Sequence, residues 1–128
     1  MRRRTVLLLL PLLFACKGPS FVQKGVHQGI DVSYRWNHPT GKPSEVLLKM
    51  TNTTTQDKQV SLELDLYYQG RTVETFLVDT CIRGGQTLNG KMNGVYFVPT
   101  RLTQEQSRSD DTQVELTKVN TSELFACP

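Results

Sequence analysis

Between Val60 and Tyr68 apolar and polar residues alternate without a break. Val60, Leu62, Leu64, Leu66 and Tyr68 fall on one side; Ser61, Glu63, Asp65 and Tyr67 fall on the other. A period of two marks a strand with one buried face, because successive side chains point to opposite faces. The same period recurs in GIDVSYRWN, where Ile30, Val32, Tyr34 and Trp36 alternate with Asp31, Ser33 and Arg35. In EVLLKMTN it places Val46, Leu48 and Met50 on one face. TVETFLVDTCI and QVELTKV read as further strands, and LNGKMNGVYFVP holds two strand pieces around Asn93-Gly94. NHPTGKPS, TTTQDK, QGR and RGGQT carry the turn chemistry between them. Asn89-Gly90 and Asn93-Gly94 read as hairpin turns. RLTQEQSRSDDT reads as a polar loop; TQEQSRS has room for a helical turn but no apolar stripe. No segment sustains helical periodicity. About seven short strands divided by turns predict an all-β, antiparallel sandwich over residues 29–128.

One apolar stretch stands outside this pattern. The chain opens MRRRTVLLLLPLLFAC, a basic block followed by an apolar run from Val6 to Ala15. The run is too short to span a bilayer as a helix, which takes about 20 apolar residues. Residues 1–15 read as a secretory signal. The segment ends Leu13-Phe14-Ala15-Cys16, which resembles the lipobox of bacterial lipoproteins: Leu, a small residue, Ala or Gly, then Cys. Leu13, Ala15 and Cys16 match, and Phe14 is bulkier than the usual second residue. The resemblance implies cleavage before Cys16, a diacylglyceryl group on its thiol and acylation of the new amino group. Two or three acyl chains give stable membrane anchoring where one is marginal. The alternative is an ordinary signal cut elsewhere, with Cys16 incidental. Lys17 stands where Asp would suggest inner-membrane retention in some bacteria, so the expected location is the bacterial envelope, outer membrane before inner. Residues 16–28, polar with Gly and Pro, read as a lipidated tether.

Removing the leader changes the charge. Three of the 15 Lys and Arg are Arg2, Arg3 and Arg4, so 12 remain against 12 Asp and Glu. The positive balance belongs to the targeting segment, and no electrostatic case for nucleic acid remains.

The stretch VLLKMTNTTTQDKQVSLELDLYYQGRTVETF resembles the strand–turn–strand unit of small immunoglobulin-like domains in envelope lipoproteins, of the type named for its FxLYD string. Leu64, Leu66 and Tyr67 fall on that string's first, third and fourth positions. Leu64 replaces its Phe, and Tyr68 its Asp. The likeness covers roughly residues 45–98. It implies an immunoglobulin-like sandwich in an envelope setting, and no catalytic residue.

LFAC occurs a second time, as Leu124-Phe125-Ala126-Cys127. It follows polar VNTSE with no apolar run before it, so it is no lipobox. With Cys16 lipidated, Cys81 and Cys127 are the remaining thiols of an exported domain. One disulfide is expected, clipping the C-terminal tail to the sheet. The alternative is two buried thiols packing as small apolar groups.

Little else reads as chemistry. His27 lies in the tether and His38 in a turn beside Pro39, where solvation is commoner than ligation. No CxxC, HExxH or Asp-rich calcium loop is present. Asp110-Asp111 reads as a solvated turn, and the sequons at Asn52 and Asn120 as chance features of Thr-rich loops. No catalytic residue, metal or cofactor is expected. Trp36 shares a face with Ile30 and Val32 and reads as core. Tyr67, beside Glu63 and Asp65, and the Asn37–Ser44 loop, with Asn37, His38, Thr40 and Lys42, form the candidate binding surface. The expected function is a non-enzymatic binding or assembly module, held to a membrane through lipid on Cys16 and contacting another envelope protein. The competing readings are a small envelope enzyme or metal-handling protein, and a structural subunit of an envelope complex.

Overall fold

The computed structural model describes residues 20–128. The leader, the lipidation expected at Cys16 and the first part of the tether lie outside the described residues.

Among the described residues, eight strands build two antiparallel sheets. They are β1 (Val22–His27), β2 (Ile30–Asn37), β3 (Glu45–Asn52), β4 (Asp57–Tyr68), β5 (Arg71–Ile82), β6 (Thr87–Asn89), β7 (Tyr96–Phe97) and β8 (Thr112–Leu124). One sheet runs β1-β2-β3, with β6 and β7 both along the far side of β3; the other runs β5-β4-β8. The alternation read from the sequence sets the inner faces. Ile30, Val32, Val46, Leu48 and Met50 from the first sheet meet Val60, Leu62, Leu64 and Leu66 from the second in one buried cluster. Trp36 packs against that cluster, half-buried. Truncating a fully buried side chain such as Leu64 to Ala would cost about 2–5 kcal/mol.

Both flanks of the sandwich are closed. On one, Lys24 of β1 pairs with Glu115 of β8 at 3.4 Å, and the Thr121 hydroxyl donates to Gln28 Oε1 at 2.6 Å. On the other, the rings of Phe76 (β5) and Phe97 (β7) stack at 4.5 Å. Glu74 accepts from the Thr100 backbone N–H at 3.0 Å.

Two expectations are corrected. The tether does not extend to residue 28, because Val22–His27 form β1 and pair with β2. His27 accordingly sits on a strand, its ring nitrogen 2.7 Å from the Lys24 carbonyl oxygen. This strand has no apolar alternation: Val22 and Val26 are exposed, and Gly25, at φ 90°, lies within a bulge. Backbone pairing holds it rather than burial, as suits a bulged edge strand. Nor do the Asn-Gly pairs join hairpins. β6 and β7 both pair with β3, so they are one strand interrupted by a 3₁₀ turn at Gly90–Asn93. Gly90, at φ 46°, accepts from Val95 N–H at 2.9 Å, and the Val95 carbonyl returns to Leu48 N–H at 3.0 Å.

The polar loop contains one helical turn, α1 (Gln104–Ser107), closed by a capping box between Thr103 and Gln106. Cys81 and Cys127 form a disulfide with a Cα–Cα distance of 5.7 Å. Cys81 lies on β5 and Cys127 just past β8, so the bond reaches across β4 and staples the chain end to the three-stranded sheet.

Candidate functional surface

The β2–β3 loop brings Asn37, His38, Thr40 and Lys42 to one end of the sandwich. Pro39 and Pro43 deny the backbone donors a continuing strand would need, so side chains fasten the loop. His38 stacks on Trp36, ring centroids 5.5 Å apart, and its Nδ1 lies 2.7 Å from Ser44 Oγ. Burial, and secondarily the charge of Arg108, lowers the His38 pKa and favours the neutral ring. A serine against a histidine is the beginning of a nucleophilic pair. Ser44, however, is only 4% exposed, so its hydroxyl latches the turn instead of facing a substrate. Asn37 Nδ2 donates to Glu45 Oε2 at 3.1 Å, and Lys91 reaches Glu45 Oε1 at 2.5 Å. The Lys91 bond is the main cause holding the Glu45 carboxyl below the usual range; burial works against it, and Asn37 assists. Gln104 of α1 donates to the Lys42 carbonyl at 2.8 Å, tying the helical turn to the loop. Thr40 and Lys42 side chains stay exposed.

Tyr67 lies at the same end but does not join this group. It is half-buried on the outer face of the other sheet, its backbone paired with Thr72 and Gln113. The residues expected to make one binding surface therefore occupy two. Asp110 and Asp111 are exposed, and the Asp111 carbonyl accepts from Gln69 N–H at 3.1 Å, which fits a turn. Among the described residues, no three of His, Cys, Asp and Glu converge as metal ligands, and no helix is long and apolar enough to cross a membrane.

A surface that sequence reasoning missed is the outer face of the first sheet. Phe21 lies under both Arg35 and Lys49, each cation 5.5 Å from its ring centroid. One strand over, Lys91 sits 5.6 Å from the Tyr96 ring. Met92, beside Lys91 on the 3₁₀ turn, is 86% exposed. Of the acids near this face, Glu45 is neutralised by Lys91, and Asp31 sits at the far end of β2. The outer face of the second sheet is the reverse: Glu63, Asp65 and Asp79 stand with Lys118, and Glu115 is paired with Lys24. A domain of balanced charge is thus electrostatically two-sided. The alternation signals that Arg35 and Lys49 point outward. What could not be read was the pairing that sets them beside Phe21 and Lys91.

No protein-family model, curated protein or solved structure matches the chain.

Proposed function

We propose that the chain is a lipid-anchored protein of the bacterial cell envelope, acting as a non-enzymatic binding or assembly module at a membrane surface. The observation that carries this reading is the sorting of the three cysteines. Cys81 and Cys127 are joined to each other, a bond suited to an exported protein. The third, Cys16, ends a basic and apolar leader with a lipobox-like Leu13-Phe14-Ala15-Cys16. Each cysteine then has one role: one carries lipid and two staple the fold. Outer-membrane location is the form we favour, from Lys17.

An immunoglobulin-like assignment belongs to the same proposal. The chain passes from β2-β3 to β4-β5 in the other sheet, returns to β6 and β7 beside β3, and crosses again to β8 beside β4. Such repeated crossing suits a Greek-key sandwich. The disulfide differs from that of antibody domains, since it lies at one sheet instead of bridging two.

The test compares wild type with Cys16→Ser in fractionated cells, followed by crosslinking and identification of partners. Membrane-bound wild type, soluble variant and a reproducible crosslinked envelope protein support the reading. Equal partition of both proteins contradicts the anchor, and absence of any crosslinked protein contradicts the assembly role.

A further inference from the structure

We propose that the outer face of the β1-β2-β3 sheet, carrying Phe21, Arg35, Lys49, Lys91 and Met92, rests on the anionic phospholipid surface to which the chain is anchored. The inference rests on lipidation at Cys16 and adds to it an orientation. Two independent observations point there.

The first is where the described chain begins. Phe21 is clasped by Arg35 and Lys49 on this face, and β1 starts at the next residue. Only five peptide units separate Cys16 from Phe21. Whatever conformation they adopt, they span at most about 18 Å. The backbone that would carry the lipid therefore lies within about 18 Å of the Phe21 Cα. Phe21 is held against the first sheet's outer face by Arg35 and Lys49, so the tether leaves the domain from that face, with the outer face of the second sheet on the other side of the core.

The second is chemical. Cations beside exposed apolar and aromatic groups suit a headgroup layer, where charge meets phosphate and an apolar tip enters the acyl boundary. Arg35 and Lys49 supply the net charge, and Lys91, paired with Glu45, keeps its side chain 56% exposed beside them. Met92, Tyr96 and Val98 supply the exposed apolar surface. The opposite face, where Glu63, Asp65 and Asp79 outnumber Lys118, would be repelled by the same lipids. Each cation near an anionic surface contributes about fivefold in occupancy.

The experiment uses the protein isolated from envelopes and reconstituted into vesicles, either phosphatidylglycerol with phosphatidylcholine or phosphatidylcholine alone. Lysine acylation is read by mass spectrometry after flotation. Lys49 and Lys91 should label about fivefold more slowly on the anionic vesicles, with Lys118 unchanged. About 1 M NaCl, which shortens the screening length to about 3 Å, should erase the difference. An Arg35→Gln/Lys91→Gln variant should float normally yet lose protection at Lys49. Floating protein with equal labelling on both vesicle types overturns the orientation and leaves the anchor standing. Protein that fails to float overturns both. Protection of Lys118 instead, or protection of Lys49 in native envelopes but not in protein-free vesicles, also overturns it; the latter result assigns the face to a protein partner.

Discussion

Asp57 Oδ2 accepts the backbone N–H of Cys127 at 2.8 Å, across 70 residues of sequence. Its other oxygen accepts from Gly84 N–H at 2.9 Å, in the turn after Cys81. One carboxylate thus holds both backbone segments that the disulfide joins. The two bonds, Cys127 first, hold the Asp57 carboxyl below its usual range. A depressed folded pKa stabilises the fold above the unfolded value, near 3.9, and that contribution is lost as pH falls through the folded value. Urea midpoints of wild type and Asp57→Asn should differ at pH 7 and converge as pH falls through the depressed folded value. A gap that stays constant across this range would contradict the carboxylate's role.

The disulfide gives a prediction about additivity. Cys81→Ser and Cys127→Ser should each lower stability by about 2–4 kcal/mol. The double variant should be no worse than either single one, because a bond is lost only once. Costs that simply add would describe two independently packed thiols.

Asn52 is fully buried, and every polar atom of its side chain is used. Nδ2 donates to the Gln56 carbonyl at 2.7 Å and the Ile82 carbonyl at 2.9 Å; Oδ1 accepts from Thr54 N–H at 3.0 Å and the Thr54 hydroxyl at 2.7 Å. Asn52→Ala should cost about 3 kcal/mol by denaturant titration, since it strands buried partners. In the folded chain the sequon nitrogen of Asn52 is taken up by its bonds to both carbonyls. A cost below about 1 kcal/mol would contradict this network.

The parts of the fold legible in the sequence were those built by burial. Leu62, Leu64 and Leu66 alternate with Ser61, Glu63 and Asp65 because one side of β4 is core. β1 was not legible because Val22 and Val26 face solvent and only backbone pairing with β2 defines it. The Asn-Gly pairs misled for a related reason: a positive-φ glycine signals a reversal but not which strand the chain rejoins. The candidate surface suffered the same limit. Alternation showed that Tyr67 faces outward, but only sheet assignment separates it from Asn37 and His38.

His38 offers a second pH signature. Its neutral ring is favoured by burial and then by Arg108, so the folded chain holds fewer protons than the unfolded chain near pH 6. Its contribution to stability is present above the ordinary value of 6.5 and declines as pH falls through the depressed folded value. An NMR titration should place the His38 midpoint below 6.5. A midpoint above that value would mean the Trp36 stack does not desolvate the ring.

The anchor at Cys16 is the claim on which localisation, orientation and function all depend. Its most direct measurement is incorporation of labelled palmitate by cells making wild type or Cys16→Ser. The account predicts label on wild type, none on the variant, and release of the variant from the membrane fraction. Equal label on both, or none on either, would contradict it.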